Sequence, residues 1–294
     1  MGRTPPGILD NHLNGAMQAV LTYASWGLVV VMLVLAWRRG KKERTPFYLF
    51  ACLAAGVAAY AEPLYDVAFD LWFHDVNSHG ARGAMWSHFT AYDIVQPNWT
   101  HSGYMILYAN AALFIGHKIA KGVWGRRELF MLFGVEFLLS CTFEMIAING
   151  NAYEYWGPHQ FRVFQYPLVI GVLEAAQVTT FTVVACLLWK RVRSWVGLLG
   201  LFALFPITFF GVNFGVGSPV IIALHLNDPG STGFIVACAT LISIAWAVAL
   251  VYGVSMFLPA EPESSLPPGS VDLRARSNVQ EGAWEGVAAA LADE

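Results

Sequence analysis

The chain has 294 residues, of which 56% are hydrophobic and only 13% charged, with a formal net charge of -3. A mean hydropathy of +0.52 excludes an ordinary soluble domain, where about a quarter of residues are charged. The near-neutral balance, with lysine and arginine gathered in short runs, also argues against a nucleic-acid partner.

Apolar segments of membrane-spanning length, about 20 residues each, fall at about 18–37, 47–72, 100–120, 127–149, 166–189, 194–217 and 233–257. They predict an all-α membrane protein, a seven-transmembrane-helix bundle filling 1–257. The first segment lacks a basic leader and ends in a basic stop, so it reads as a retained helix rather than a signal peptide. After it comes the run Trp37 to Arg44, rich in arginine and lysine. After the third segment come Lys118, Lys121, Arg126 and Arg127, and after the fifth come Lys190, Arg191 and Arg193. Basic loops stay in the cytoplasm, so the N-terminus is expected outside and the C-terminus inside. Residues 258–294, with four prolines among serines and acidic residues, are expected to form a disordered cytoplasmic tail. The location is then an integral, multi-pass one, in a bacterial inner membrane or a eukaryotic endomembrane.

Ionisable groups within a span are costly and mark function. In the second span Glu62 lies ~24 Å from the inner boundary and precedes Pro63, which frees a backbone carbonyl one turn back. Tyr65, Asp66 and Asp70 follow it on one helix face. The two aspartates could be merely solvated or paired with Arg82. In the fourth span Glu144 lies ~26 Å along, level with Glu62, while Glu136 lies near the midplane. The fifth span adds Glu174, with Gln177 a turn deeper, and amides stand at Asn110 and Asn213. Interhelical hydrogen bonding is the plain reading of the amides.

The outer loops 73–99 and 150–166 are long and aromatic, with Trp99, Tyr155 and Trp156 among their rings. Some belong to an interfacial belt. Over an acid site they would also exclude water and shelter a cation. Histidines 74, 79, 88, 101, 159 and 225 lie at the same side, but no HExxH, helical HxxxH or compact triad exists, so neither a metal nor another cofactor is expected. The cysteines Cys52, Cys141, Cys186 and Cys238 lie in apolar runs without CxxC spacing and read as core residues.

Lys42-Glu43-Arg44-Thr45, followed by a span with Ala61-Glu62-Pro63-Leu64-Tyr65, resembles the first loop and second span of the integral-membrane terpene cyclases of the paxilline and meroterpenoid type. The resemblance, over roughly the first 75 residues, implies seven spans and a Glu62 that protonates a substrate epoxide. That family has a second acidic residue near the last span. Residues 233–257 hold none here, and Glu144 or Glu174 would take its place. A second likeness covers residues 144–175: Glu144, Asn149-Gly150, Tyr153, Tyr155, Gly157-Pro158 and Tyr166-Pro167-Leu168 resemble the layout of seven-span carotenoid hydratases of the bisanhydrobacterioruberin type.

The expectation is therefore a terpene cyclase acting on a hydrophobic isoprenoid drawn from membrane lipid, with an isoprenoid hydratase as the alternative. Glu62, Glu144, Glu174 and Asp66 are the catalytic candidates. Tyr65, Trp99, Tyr155, Trp156, Asn213 and Gln177 are the substrate-binding ones. A lipid-sensing receptor or a transporter is the alternative of another class. A retinal photoreceptor is excluded, since residues 233–257 contain no lysine for a Schiff base.

Overall fold

In the computed structural model, which describes residues 6–226 and 232–260, the chain is mostly helical, and six helices are long and apolar enough to cross a membrane. A short α1 (Pro6–Leu9) leads to α2 (Gly15–Glu43), and α3 (Phe47–Ala58) and α4 (Glu62–Phe69) share the second segment. Then come α5 (Thr100–Ala120), α6 (Arg126–Asn149), α7 (Leu168–Arg191), α8 (Leu201–Phe210), α9 (Ser218–Leu224) and α10 (Thr232–Ser255). Helix α5 is not among the six, because His101, Asn110, His117 and Lys118 dilute its apolar character. It nevertheless packs against α2, α3 and α7 within the bundle.

Helix ends follow local chemistry. The Asn14 side chain accepts the Ala16 and Met17 amides at 3.0 and 3.2 Å, satisfying two orphan donors of α2. At the other end Lys41 and Lys42 oppose the carbonyl end of the helix dipole. Glu128 accepts the Gly125 amide at 3.0 Å at the start of α6. Helix α7 is the hub: 83% of its apolar window is buried, against 22% for α2, and it packs on α5, α6, α8 and α10.

Two segments expected as single helices are interrupted. The second narrows to a 3-10 turn over Ala59–Ala61 before Pro63 opens α4, then stops at Phe69 rather than at 72. Pro63 has no amide to continue the ladder, so the break falls where proline places it. The sixth begins as a 3-10 helix over Trp195–Gly200, becomes α8 with Pro206 inside, widens to a π-helix over Gly211–Val216, and continues as α9. Of the expected tail over 258–294, residues 261–294 lie outside the described residues.

The loops expected on the outer side are not irregular. Strand β1 (Leu71–Phe73) pairs antiparallel with β4 (Tyr153–Tyr155) in the register Leu71 to Tyr155 and Phe73 to Tyr153. Two hairpins flank this ribbon, β2 (Ser87–Ala91) with β3 (Ile94–Pro97), and β5 (Arg162–Val163) with β6 (Tyr166–Pro167). Both turn through two residues of positive φ, Tyr92-Asp93 and Phe164-Gln165, which gives the twist that two-residue hairpins need. Backbone bonds from Leu13 to Val76 and Asn14 to Asn151 tie this cap to the start of α2, and one from His74 to Ala152 extends the β1–β4 ribbon.

Candidate active site

Three carboxyl groups from three helices meet under the cap. Glu62 opens α4, Glu144 stands near the end of α6, and Glu174 lies in the second turn of α7; all three line one cavity of about 40 Å³. The depth match between Glu62 and Glu144 thus corresponds to a shared wall. Tyr65, Trp99 and Tyr155, expected to touch substrate, line the same cavity.

Each carboxyl is held by hydroxyl groups. Glu174 Oε1 accepts from Tyr108 at 3.1 Å and Tyr65 at 3.3 Å, while Oε2 accepts from Ser140 and, at 3.4 Å, from Tyr166. The Ser140 proton goes to Glu174, so at their 3.1 Å contact Tyr166 is the donor and shares its one proton between the two acceptors. Glu62 Oε2 accepts from Tyr104 at 2.6 Å. Glu144 Oε2 accepts from Tyr155 at 3.3 Å, with Tyr153 in the adjoining wall.

Local structure sets these positions. Tyr104 and Tyr108 are four apart on α5, as are Ser140 and Glu144 on α6, so each pair shares a helix face. Phe209 from α8 lies beneath, its ring centre 5.5 Å from Tyr104, 5.9 Å from Tyr108 and 6.0 Å from Tyr65. The result is a carboxyl-lined cavity with aromatic walls, and Phe209 stands behind three of its tyrosines. Outside it, Arg162 donates to the carbonyls of Tyr155 at 2.7 Å and of Gly157, pinning the end of β4.

Four candidates belong elsewhere. Asp66 is buried, but one turn beyond Glu62 it accepts Gln96 Nε2 at 2.6 Å and lines a separate outer cavity, as does Trp156. Gln177 donates to Thr208 at 3.2 Å and Asn213 to the Phe209 carbonyl at 3.1 Å, deeper in the bundle and outside the lining of the carboxyl cavity. The reading of Asp66 and Asp70 as solvated or paired with Arg82 is also replaced, since both are buried. Arg82 meets Asp10 at 3.3 Å, and Asp70 is buried with His225 Nε2 at 3.8 Å. The amide reading holds for Asn110, which donates to Glu136 at 3.1 Å.

Tyr104, Tyr108, Ser140 and Phe209 were not among the sequence candidates. Their signal was spacing: Tyr104 and Tyr108 repeat at four, and Ser140 stands four before an acidic residue. Among the described residues no three His, Cys, Asp or Glu side chains are grouped as a metal ion would require. The rings of His88, His101, His159 and His225 are instead hydrogen-bonded. His101 Nδ1 donates to the Gly56 carbonyl at 2.7 Å and its Nε2 lies 2.8 Å from that of His88, while His159 Nε2 lies 2.8 Å from the Phe69 carbonyl. Comparison with protein-family models, curated proteins and solved structures returns no match.

Proposed function

We propose that this protein is a membrane-embedded enzyme that starts isoprenoid chemistry by protonating an alkene or epoxide, with cyclisation as the outcome. The observation that carries this reading is the meeting of Glu62, Glu144 and Glu174 with hydroxyl partners in one small cavity. Such a cluster can hold and pass a proton, and its aromatic surroundings suit a cation that must not meet bulk water. The seven-span topology, with the N-terminus outside, belongs to the same proposal. Helix α5, with 21 residues, is about 31 Å long, which is long enough to span the hydrocarbon and supports counting it as the seventh.

Hydrogen-bond supply divides the roles. Glu174, facing Tyr65, Tyr108, Ser140 and Tyr166, is furnished as an acceptor-only carboxylate. Glu62 takes its hydroxyl from Tyr104 on Oε2, which leaves Oε1 to carry the transferable proton. With an epoxide, the Glu62 proton goes to the oxygen as the C–O bond breaks, and the alkene π pair closes the ring on the cationic carbon. A C–H proton then returns to the carboxylate, so the overall change is an isomerisation. A carbon cation against the Tyr104 and Trp99 rings, which line the cavity, would gain cation–π stabilisation of order 0.5–2 kcal/mol per ring.

The cavity volume favours a second outcome as well. About 40 Å³ admits roughly two waters, and water captured by the cation would give an alcohol, the hydratase alternative. The test is the purified full-length protein in lipid nanodiscs, given prenyl epoxides and polyenes in H₂¹⁸O, with products weighed by mass spectrometry. Cyclic unlabelled product supports cyclisation and labelled alcohol supports hydration. Full activity in Glu62→Gln, or no conversion of any substrate, overturns the acid reading.

A further inference from the structure

Three helices finish around one cleft at the end with the basic loops. Arg39 and Lys42 of α2, His117 and Lys121 at the end of α5, and Trp189 of α7 line a cavity of about 700 Å³, within the ~300–1,000 Å³ of small-molecule sites. Its one acidic residue, Glu43, is already engaged by Tyr48 and Arg39. Retaining a basic loop in the cytoplasm requires only that the loop be basic. It does not require cations 78 residues apart in sequence, such as Arg39 and His117, to share one cleft.

The basic groups here divide into those already committed and those left over. Arg39 spends Nη1 on the Leu113 and Phe114 carbonyls, and its Nη2 lies 3.0 Å from His117 Nδ1. A guanidinium can only donate, so His117 accepts at Nδ1 and its neutral ring carries the proton on Nε2. Lys41 and Lys118 lie over the Trp37 and Trp124 rings at 4.2 and 5.6 Å. Lys42 and Lys121 are exposed, and neither has an ion pair or ring contact among the described residues. With Glu43 balancing Arg39, these two lysines leave the cleft doubly positive. Like charges on one cleft repel, and an anion between them relieves the repulsion.

The surface beside the cleft narrows the choice of anion. Leu35 precedes Arg39 by four residues and Phe114 precedes His117 by three, so each stands one turn deeper on the same helix face as a basic group. They are 39% and 50% exposed. On both helices the surface thus passes from cationic to apolar within a turn, the order in which a phospholipid presents its phosphate and its chain. Trp189, stacked on Phe47 at 4.4 Å and edge-on to Tyr48, supplies a fixed indole of the kind that sits at headgroup level.

We propose that this cleft binds the phosphate of an anionic phospholipid, with Lys42 and Lys121 as its charge partners and an acyl chain against Leu35 and Phe114. Basic pockets between membrane helices hold anionic headgroups in this way. The site is independent of the acid chemistry at the opposite end. Free phosphate shares the headgroup's charge but has no use for the apolar turn.

Native mass spectrometry of the full-length protein, titrated with dioleoyl phosphatidylglycerol, dioleoyl phosphatidylcholine or inorganic phosphate, tests the proposal. Phosphatidylglycerol should be retained in preference to phosphatidylcholine, and equimolar phosphate should not displace it. Lys42→Gln/Lys121→Gln should weaken phosphatidylglycerol binding by about tenfold or more. Lys41→Gln/Lys118→Gln removes the same charge from the same end, at lysines held over indoles, and should change binding by less than about twofold. Because Lys42 and Lys121 are exposed, replacing them leaves the packed core intact. Equal losses in the two pairs would assign binding to the diffuse charge of the loops. Failure to retain phosphatidylglycerol, equal retention of both lipids, or displacement by equimolar phosphate would likewise overturn the site.

Discussion

The two ends of the bundle treat their charged groups in opposite ways. At the end with the basic loops, the expected inner end, Glu43 takes the Tyr48 hydroxyl at 2.6 Å and faces Arg39 at 3.8 Å, both ionic side chains partly exposed at 20% and 28%. Arg39 also caps the Leu113 and Phe114 carbonyls at 2.5 and 3.1 Å. At the outer end none of the ion pairs among the described residues involves Glu62, Glu144 or Glu174, and their partners are hydroxyls. A carboxylate fixed by a cation is settled in its charge. One that faces only hydroxyls can take up or release a proton as a reaction demands. On the proposed reading, the end with the basic loops anchors and the opposite end reacts.

The sharpest way to break this contrast is a matched pair of amide substitutions. Glu62→Gln should lower turnover by about 10²–10⁴-fold, the range for a positioned general acid, whereas Glu43→Gln should change it by less than about twofold. Comparable losses at both ends would remove the distinction. Next in size is Glu174→Leu, which strands the Tyr65, Tyr108 and Ser140 hydroxyls in a buried site. Each stranded group costs about 1–3 kcal/mol, so thermal unfolding should come several degrees earlier, and Glu174→Gln should recover part of the loss. Smaller still is Tyr108→Phe, expected to cost about 0.5–1.5 kcal/mol by removing one hydrogen bond. An equal or larger loss from Tyr48→Phe, at the partly exposed inner pair, would count against the outer network being the tighter one.

The sequence was most informative where a single chemical rule governs. Apolar runs located the six helices that are long and apolar enough to cross a membrane, since lipid forces backbone bonds inside the segment, although α2 runs on to Glu43 rather than ending at 37. Rise per residue placed Glu62 and Glu144 at one level, and they do line one cavity. What periodicity could not give was the rotation of each helix about its axis. Asp66 stands one turn from Glu62 on the same helix α4, yet the two line different cavities on either side of the β1–β4 ribbon. That ribbon pairs residues about eighty positions apart, and its three-residue strands are too short to stand out as alternation. Tyr104 and Phe209 were hidden for a related reason. An aromatic residue in a span is ordinary until its neighbour across the bundle is known.

The smallest effect concerns the cap that closes the outer end. His74, just after β1, is buried, its amide donates to Ala152, and burial lowers its pKa from 6.5 to about 4. Its ring Nδ1 has no hydrogen bond among the described residues, so nothing compensates a charge there. The folded cap binds fewer protons than the opened one between those two values, and its stability therefore rises with pH across them. The His74 contribution is complete above pH 6.5 and is lost as the pH falls toward 4. Limited proteolysis of the outer loops should accelerate on going from pH 7 to pH 5, and in His74→Asn the acceleration should flatten. Because the inner end carries no part of the cap, cleavage of the basic loop at Lys41 and Lys42 should stay constant over the same range. Matching acceleration there would assign the pH response to the bundle as a whole and withdraw it from His74.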